Sequence, residues 1–218
     1  PILRAAFPKA QVYASAEIHH ARAQEFLARG RTRMQEANAS EADAEAKHER
    51  ELEIERSTAT ASTAIDHVID KTTQVTIGGR KLVIGLSAFA ATGGDVWLFD
   101  RASGVLASGD LVTLPAPFLD TACPTTFRAA LKTIDALPFK QLVPGHGNPM
   151  RKRDFRRYRQ AVDALFECAA SKAEAGTCAT AWRDNASSLM TDAERENAVP
   201  YAEYYVSERL RADPAMVA

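Results

Sequence analysis

The sequence predicts an α/β fold in which a meander of strands occupies the middle of the chain and helices flank it on both sides. Two patterns carry that expectation. Between Val68 and Ser108, short apolar and β-branched runs such as Val75-Thr76-Ile77, Lys81-Leu82-Val83-Ile84 and Asp95-Val96-Trp97-Leu98-Phe99 are separated by glycine or polar turns, the period and punctuation of strands. On either side, Ala16 to about Arg56 and Thr125 to Leu137 are built largely from good helix formers.

Taken in order, Ile2, Leu3, Ala5, Ala6 and Phe7 have helical spacing and predict a turn that Pro8 ends. Gln11 to Ser15 reads as a short strand. Ala16 to Arg56 reads as a long helix or a helical pair, interrupted at Gly30 or at Asn38-Ala39-Ser40. Its apolar content falls after Met34, so the second part is expected on the surface or against a partner chain. After the polar Ser57 to Ser62 stretch, Val68-Ile69 opens the strand region, Gly78-Gly79 joins two strands, and Asp100-Arg101-Ala102-Ser103 turns the chain into Gly104 to Ser108. Thr125 to Leu137 is helical, with Phe127, Leu131, Ile134 and Leu137 on one face, and Gln141-Leu142-Val143 is a buried strand. Lys152 to Ala169 and Asp192 to about Arg211 are helical, with an irregular connection around Gly176. No internal repeat or low-complexity linker divides the chain, which predicts one domain over 1–218, with 16–56 as a helical insertion or pair and 152–211 as C-terminal helices.

Of the 218 residues, 46% are hydrophobic, enough for a sizeable core, and 27 basic against 28 acidic residues leave a net charge of −1. That balance offers no field to attract nucleic acid or an anionic membrane, so neither is an expected partner. No apolar run approaches the roughly 20 residues that span a bilayer, and the first residues lack the apolar core of a signal peptide. A cytoplasmic location follows, with a periplasmic or secreted one as the alternative if a signal peptide has been removed. Cys123, Cys168 and Cys178 are too few and too irregular for a disulfide scaffold or a zinc knuckle. Buried or half-buried thiols are expected, although Cys168 and Cys178 can pair in an oxidising compartment.

Two loops place a metal-competent side chain after a strand and beside a glycine. In Ser108-Gly109-Asp110-Leu111 a carboxylate follows a residue that allows a tight turn, and in Val143-Pro144-Gly145-His146-Gly147 an imidazole lies between glycines. Each pattern alone also fits an ordinary turn or a hydrogen-bonded structural histidine. Strand ends of one sheet can bring such groups together, and the helical Thr125 to Leu137 between them can cover that sheet.

The ordered segments AAFPKAQVYAS, VTIGGRKLVI, GGDVWLFD, GVLASGDLV and LVPGHGNP resemble the metallo-β-lactamase superfamily, and they span nearly the whole chain through Pro149. The resemblance implies an αββα sandwich, here N-terminally shortened and with extra C-terminal helices. It also implies a two-metal zinc centre in which Asp110 bridges two ions and His146 ligates the second, with a bridged hydroxide as the nucleophile. The substrate implied is a small molecule carrying an ester, thioester, lactam or phosphoester.

Two departures bear on that centre. The family's His-x-His-x-Asp-His run, which normally sits just before a segment like Pro1 to Pro8, occurs nowhere in this sequence, and Ala91 stands where a further family histidine is expected. Other histidines do not replace them: His19 and His20 are adjacent on a helical stretch and point about 100° apart, while His48 and His67 have surface or structural readings. The basic run Arg151-Lys152-Arg153, Arg156-Arg157 and Arg159 reads as a solvated helix face, and Tyr201, Tyr204, Tyr205, Trp97 and Trp182 read as packing residues. Two functions therefore stay open: a metallohydrolase impaired or inactive in this chain, and a non-catalytic binding or oligomerising module. A shortened layered sheet leaves an edge and an apolar face to cover, which predicts a homo-oligomer, with 16–56 as a candidate contact.

Overall fold

The computed structural model describes residues 6–19, 21–58, 65–119 and 122–211. The turn expected over the first residues and the polar stretch after Ser57 fall largely outside them, as does His20. The chain divides into two compact units, Pro1–Val68 and Ile69–Ala218.

In the first unit, β1 (Tyr13–Ala14) pairs in parallel with β2 (His67–Val68), Tyr13 opposite His67. Tyr13 and His67 stack with ring centroids 4.3 Å apart, and His67 Nε2 lies 3.0 Å from Gln11 Oε1, a structural role of the kind expected for this histidine. A 3-10 turn over Ala16–His19 leads to α1 (Ala21–Ala39) and α2 (Ala44–Thr58), so the helical pair is the form adopted. The break falls after Asn38-Ala39 and Gly30 continues α1. The reason is local: the Asp43 carboxylate accepts the Ala46 N–H at 2.8 Å and so caps the start of α2, whereas nothing ends the helix at Gly30.

The second unit holds, among the described residues, a six-stranded mixed sheet in the order β3 (Thr73–Ile77), β4 (Arg80–Ala88), β5 (Gly94–Asp100), β6 (Val105–Gly109), β7 (Gln141–Pro144), β8 (Met150–Arg151). The mixed α/β class is thus the one predicted. β3 to β6 form an antiparallel meander, and its first turn is the Gly78-Gly79 pair, at φ +57° and +76°, joining Ile77 to its partner Arg80. β6 and β7 are parallel, as the helical crossover α3 (Pro124–Ala136) between them requires.

Register sets the two faces. Val83, Phe99, Leu106 and Leu142 lie opposite one another across β4 to β7, and all are buried. They share one core with Phe127, Leu131 and Ile134 of α3 and with Phe155, Tyr158, Val162 and Leu165 of α4 (Lys152–Ala170). Burial of each such large side chain is worth about 1.5–3 kcal/mol, so this face anchors the unit. Trp97 lies across Gly85, where any Cβ would come within 1.9 Å of the indole, so the ring occupies the space that glycine leaves.

The region around Gly176, read above as irregular, is instead a helix, α5 (Ala175–Ala186). Cys178, Ala179 and Trp182 are buried on its inner face, the Trp182 indole N–H donates to Pro115 O at 2.8 Å, and tertiary packing overrides the weak helix preference of Gly176 and Thr177. The expectation of free thiols at Cys168 and Cys178 is likewise corrected: they form a disulfide with a Cα–Cα distance of 5.5 Å, joining the end of α4 to the first turns of α5. α6 (Asp192–Tyr205) starts on a Thr191–Glu194 capping box and runs into a π-helical turn at Val206–Leu210. Arg211 then donates to the carbonyls of Ala169 and Ala173 at 2.9 and 2.7 Å and clamps the disulfide-bearing loop.

Part of the basic run is less solvated than its composition implies. Arg156 and Arg159 both donate to the Asp135 carboxylate, at 3.0 and 2.6 Å, and Lys152 Nζ donates to Leu137 O, so they tie α4 to α3 and its end.

Candidate functional site

The ends of β4, β6 and β7 and the start of β5 lie at one edge of the sheet, because β4 is antiparallel to β5, β5 to β6, and β6 runs parallel to β7. Residues 89–93, 110–119 and 145–149 emerge there, which places Asp110, His146 and Ala91 at the same edge. The sheet thus brings together the two ligand candidates and the residue expected to break their set.

Local geometry fixes Asp110 and His146. The β6–β7 register slips between Ala107 and Gly109, and Gly109 at φ +54° turns the chain so that Asp110 leaves the strand. The N–H of Gly145 donates to both Gly109 O and Val112 O at 3.0 Å, and the N–H of Leu114 donates to His146 O at 3.1 Å, stitching the two loops together. Asp110 Oδ1 and His146 Nε2 are 3.9 Å apart. That exceeds hydrogen-bond length, yet both atoms can reach one small cation, whose bonds to nitrogen and oxygen ligands are about 2.0–2.2 Å. The side chains are 43% and 72% exposed, so direct attraction between them contributes little.

Behind this pair lies a buried polar layer that sequence reasoning missed. Asp95, 6% exposed, accepts the Thr92 N–H at 2.9 Å and the Thr92 hydroxyl at 2.8 Å. Burial pushes its carboxyl above the ordinary range against the pull of those hydrogen bonds, and the charge of Asp110 adds to the rise. Tyr158 is fully buried and its phenol is pushed far up, again chiefly by burial; the Thr113 N–H donates to its oxygen at 3.4 Å and Asp110 again contributes. The signal for Asp95 was its Thr92-x-x-Asp spacing, a local turn pattern that marks no site by itself. Tyr158 gave none beyond its place on the inner face of α4.

Ala91 is fully buried and supplies no donor side chain. Among the described residues no group of three or more histidine, cysteine, aspartate or glutamate side chains is placed to hold a metal ion. A retained zinc ion takes at least three protein ligands, so the donor set Asp110 plus His146 does not fit a tightly held zinc centre. Of the other histidines, His48 is exposed on α2 and His67 is engaged with Tyr13 and Gln11.

No family model and no curated protein matches the sequence. Solved structures that it resembles include a metallo-β-lactamase from Pontibacter korlensis, at 18% identity and TM-score 0.43, covering 48% of this chain and 51% of that one. Another is the stereoselective inverting sec-alkylsulfatase from Pseudomonas sp., at 17% identity and TM-score 0.40, covering 69% and 29%. A third is a metallo-β-lactamase family protein from Thermus thermophilus, at 15% identity and TM-score 0.45, covering 91% and 67%. The match spans about half the length of the first and under a third of the second. At these levels no residue's role or activity carries over from them. Two of these three structures are named as metallo-β-lactamase proteins.

Proposed function

We propose that this chain is a metallo-β-lactamase-like hydrolase scaffold whose metal centre is reduced here to Asp110 and His146, so that hydrolysis of an ester, thioester, lactam or phosphoester is impaired or lost. The observation that carries this reading is the convergence of Asp110 Oδ1 and His146 Nε2 to 3.9 Å at neighbouring strand ends, on a backbone shaped by Gly109 and Gly145. Two protein ligands hold zinc weakly against water and chelators, which accounts for the impairment. The second reading, a non-catalytic binding or oligomerising module, is favoured by the buried Ala91.

Zinc titration by calorimetry separates the two. The expected result is weak, chelator-reversible zinc binding that Asp110→Ala and His146→Ala each reduce at least about tenfold, with little or no hydrolysis of generic esters. Zinc binding that ignores both substitutions supports the binding module, and stoichiometric co-purifying zinc with full ester turnover contradicts the impairment.

No helix among the described residues is long and apolar enough to cross a membrane. The Cys168–Cys178 disulfide supports maturation in an oxidising compartment, the periplasmic or secreted alternative to the cytoplasmic location.

A further inference from the structure

Ala88 pairs with Gly94, so residues 89–93 form the turn between β4 and β5 at the site edge of the sheet. Phe89 in this turn has φ +52° and is 56% exposed. That backbone region is open to glycine but crowds the Cβ of a bulky residue against its carbonyl oxygen. A surrounding frame enforces it. The Phe89 N–H donates to Gly93 O at 3.0 Å, its carbonyl accepts the Thr126 hydroxyl, and the next carbonyl, Ala90 O, accepts the Cys123 N–H at 3.3 Å. On the far side Thr92 is held by the buried Asp95.

A strained residue is usually explained by what its side chain packs into. Here Phe89 is an exposed residue, so packing does little to offset the strain, and a glycine would satisfy the backbone better. An isolated exposed aromatic means little, but one held in a disfavoured conformation by a rigid loop beside a candidate site is the kind of outlier that accompanies ligand contacts. We propose that Phe89 is a specificity-determining residue whose ring receives an apolar alkyl or aryl group of the small molecule bound at this sheet edge. The inference rests on the small-molecule site proposed above and names the apolar character of its ligand.

The test uses the zinc-free 218-residue chain, with hexylphosphonate and methylphosphonate as probes that share a tetrahedral anionic head and a non-hydrolysable bond. In wild type, hexylphosphonate is expected to bind at least about fivefold more tightly than methylphosphonate, with saturation transferred to its chain protons in ligand-observed NMR. Phe89→Ala removes most of that preference. Phe89→Gly removes it as well and raises the thermal midpoint by relieving the left-handed strain, while Phe89→Trp keeps the preference. Equal binding of the two phosphonates in wild type, or an unchanged preference in Phe89→Ala, overturns the proposal. Because the probes are titrated without zinc, a failed zinc titration with an intact chain preference refutes only the metal reading. The converse result refutes only the role of Phe89.

Discussion

At Gly145 a single hydrogen decides whether the two loops can meet. A Cβ there would lie 2.3 Å from Asp110 Oδ1 and 2.9 Å from the Gly109 carbonyl, so the backbone approach that brings His146 toward Asp110 needs glycine. This was legible in the sequence, because Gly-Asp and Gly-His-Gly each follow an apolar strand. Asp95 and Phe89 were not: one acts through burial and the other through φ, and neither is written in residue spacing. Asp95 yields a pH prediction. Its carboxyl is raised above the unfolded value, chiefly by burial, so its contribution to stability is fully present below the unfolded pKa and is lost as pH rises through the folded one. Asp95→Asn cannot ionise, and the stability of wild type relative to this variant should fall as pH rises above the ordinary carboxylate range. Urea denaturation of both proteins over that rise checks it; a gap that stays flat or widens in favour of wild type would show that the Thr92 hydrogen bonds outweigh burial.

Among the elements, strands and long helices followed from periodicity, and the exceptions share one cause. α5 was missed because Gly176 and Thr177 mask a helix held by packing of Trp182 and by the Cys168–Cys178 disulfide. Pairing could not be read from a ten-residue separation alone, since it depends on α4 and α5 being antiparallel neighbours. Closing a loop of that size lowers the entropy of the unfolded chain by an amount worth roughly 2–3 kcal/mol. Replacing both cysteines by serine should therefore lower the unfolding free energy by about that much in chemical denaturation. A loss below about 0.5 kcal/mol would mean that the Arg211 clamp and the Trp182 contacts hold the helices without the disulfide.

For the whole molecule, the described strands bury one face of the sheet under helices, while the other face carries the half-buried Val75, Leu82, Leu86, Val96, Leu98 and Val105. On that same face Ile77 and Val143 are 39% and 40% exposed. We propose that a second copy of the chain covers apolar surface of this kind, and light scattering at micromolar concentration is expected to give the mass of two chains or more; a monomer would contradict it. The α/β class and the reduced donor set were both visible in the sequence, in the order of segments and in Ala91, whereas the approach of Asp110 to His146 emerged only once the sheet had brought the strand ends together. Action of Asp110 and His146 on one cation is tested most directly by following the His146 imidazole protons by NMR during zinc addition to the 218-residue chain. The His146 resonances are expected to shift and broaden with zinc, and Asp110→Ala to abolish the effect; unchanged His146 resonances while those of His48 or His67 move would contradict a shared cation.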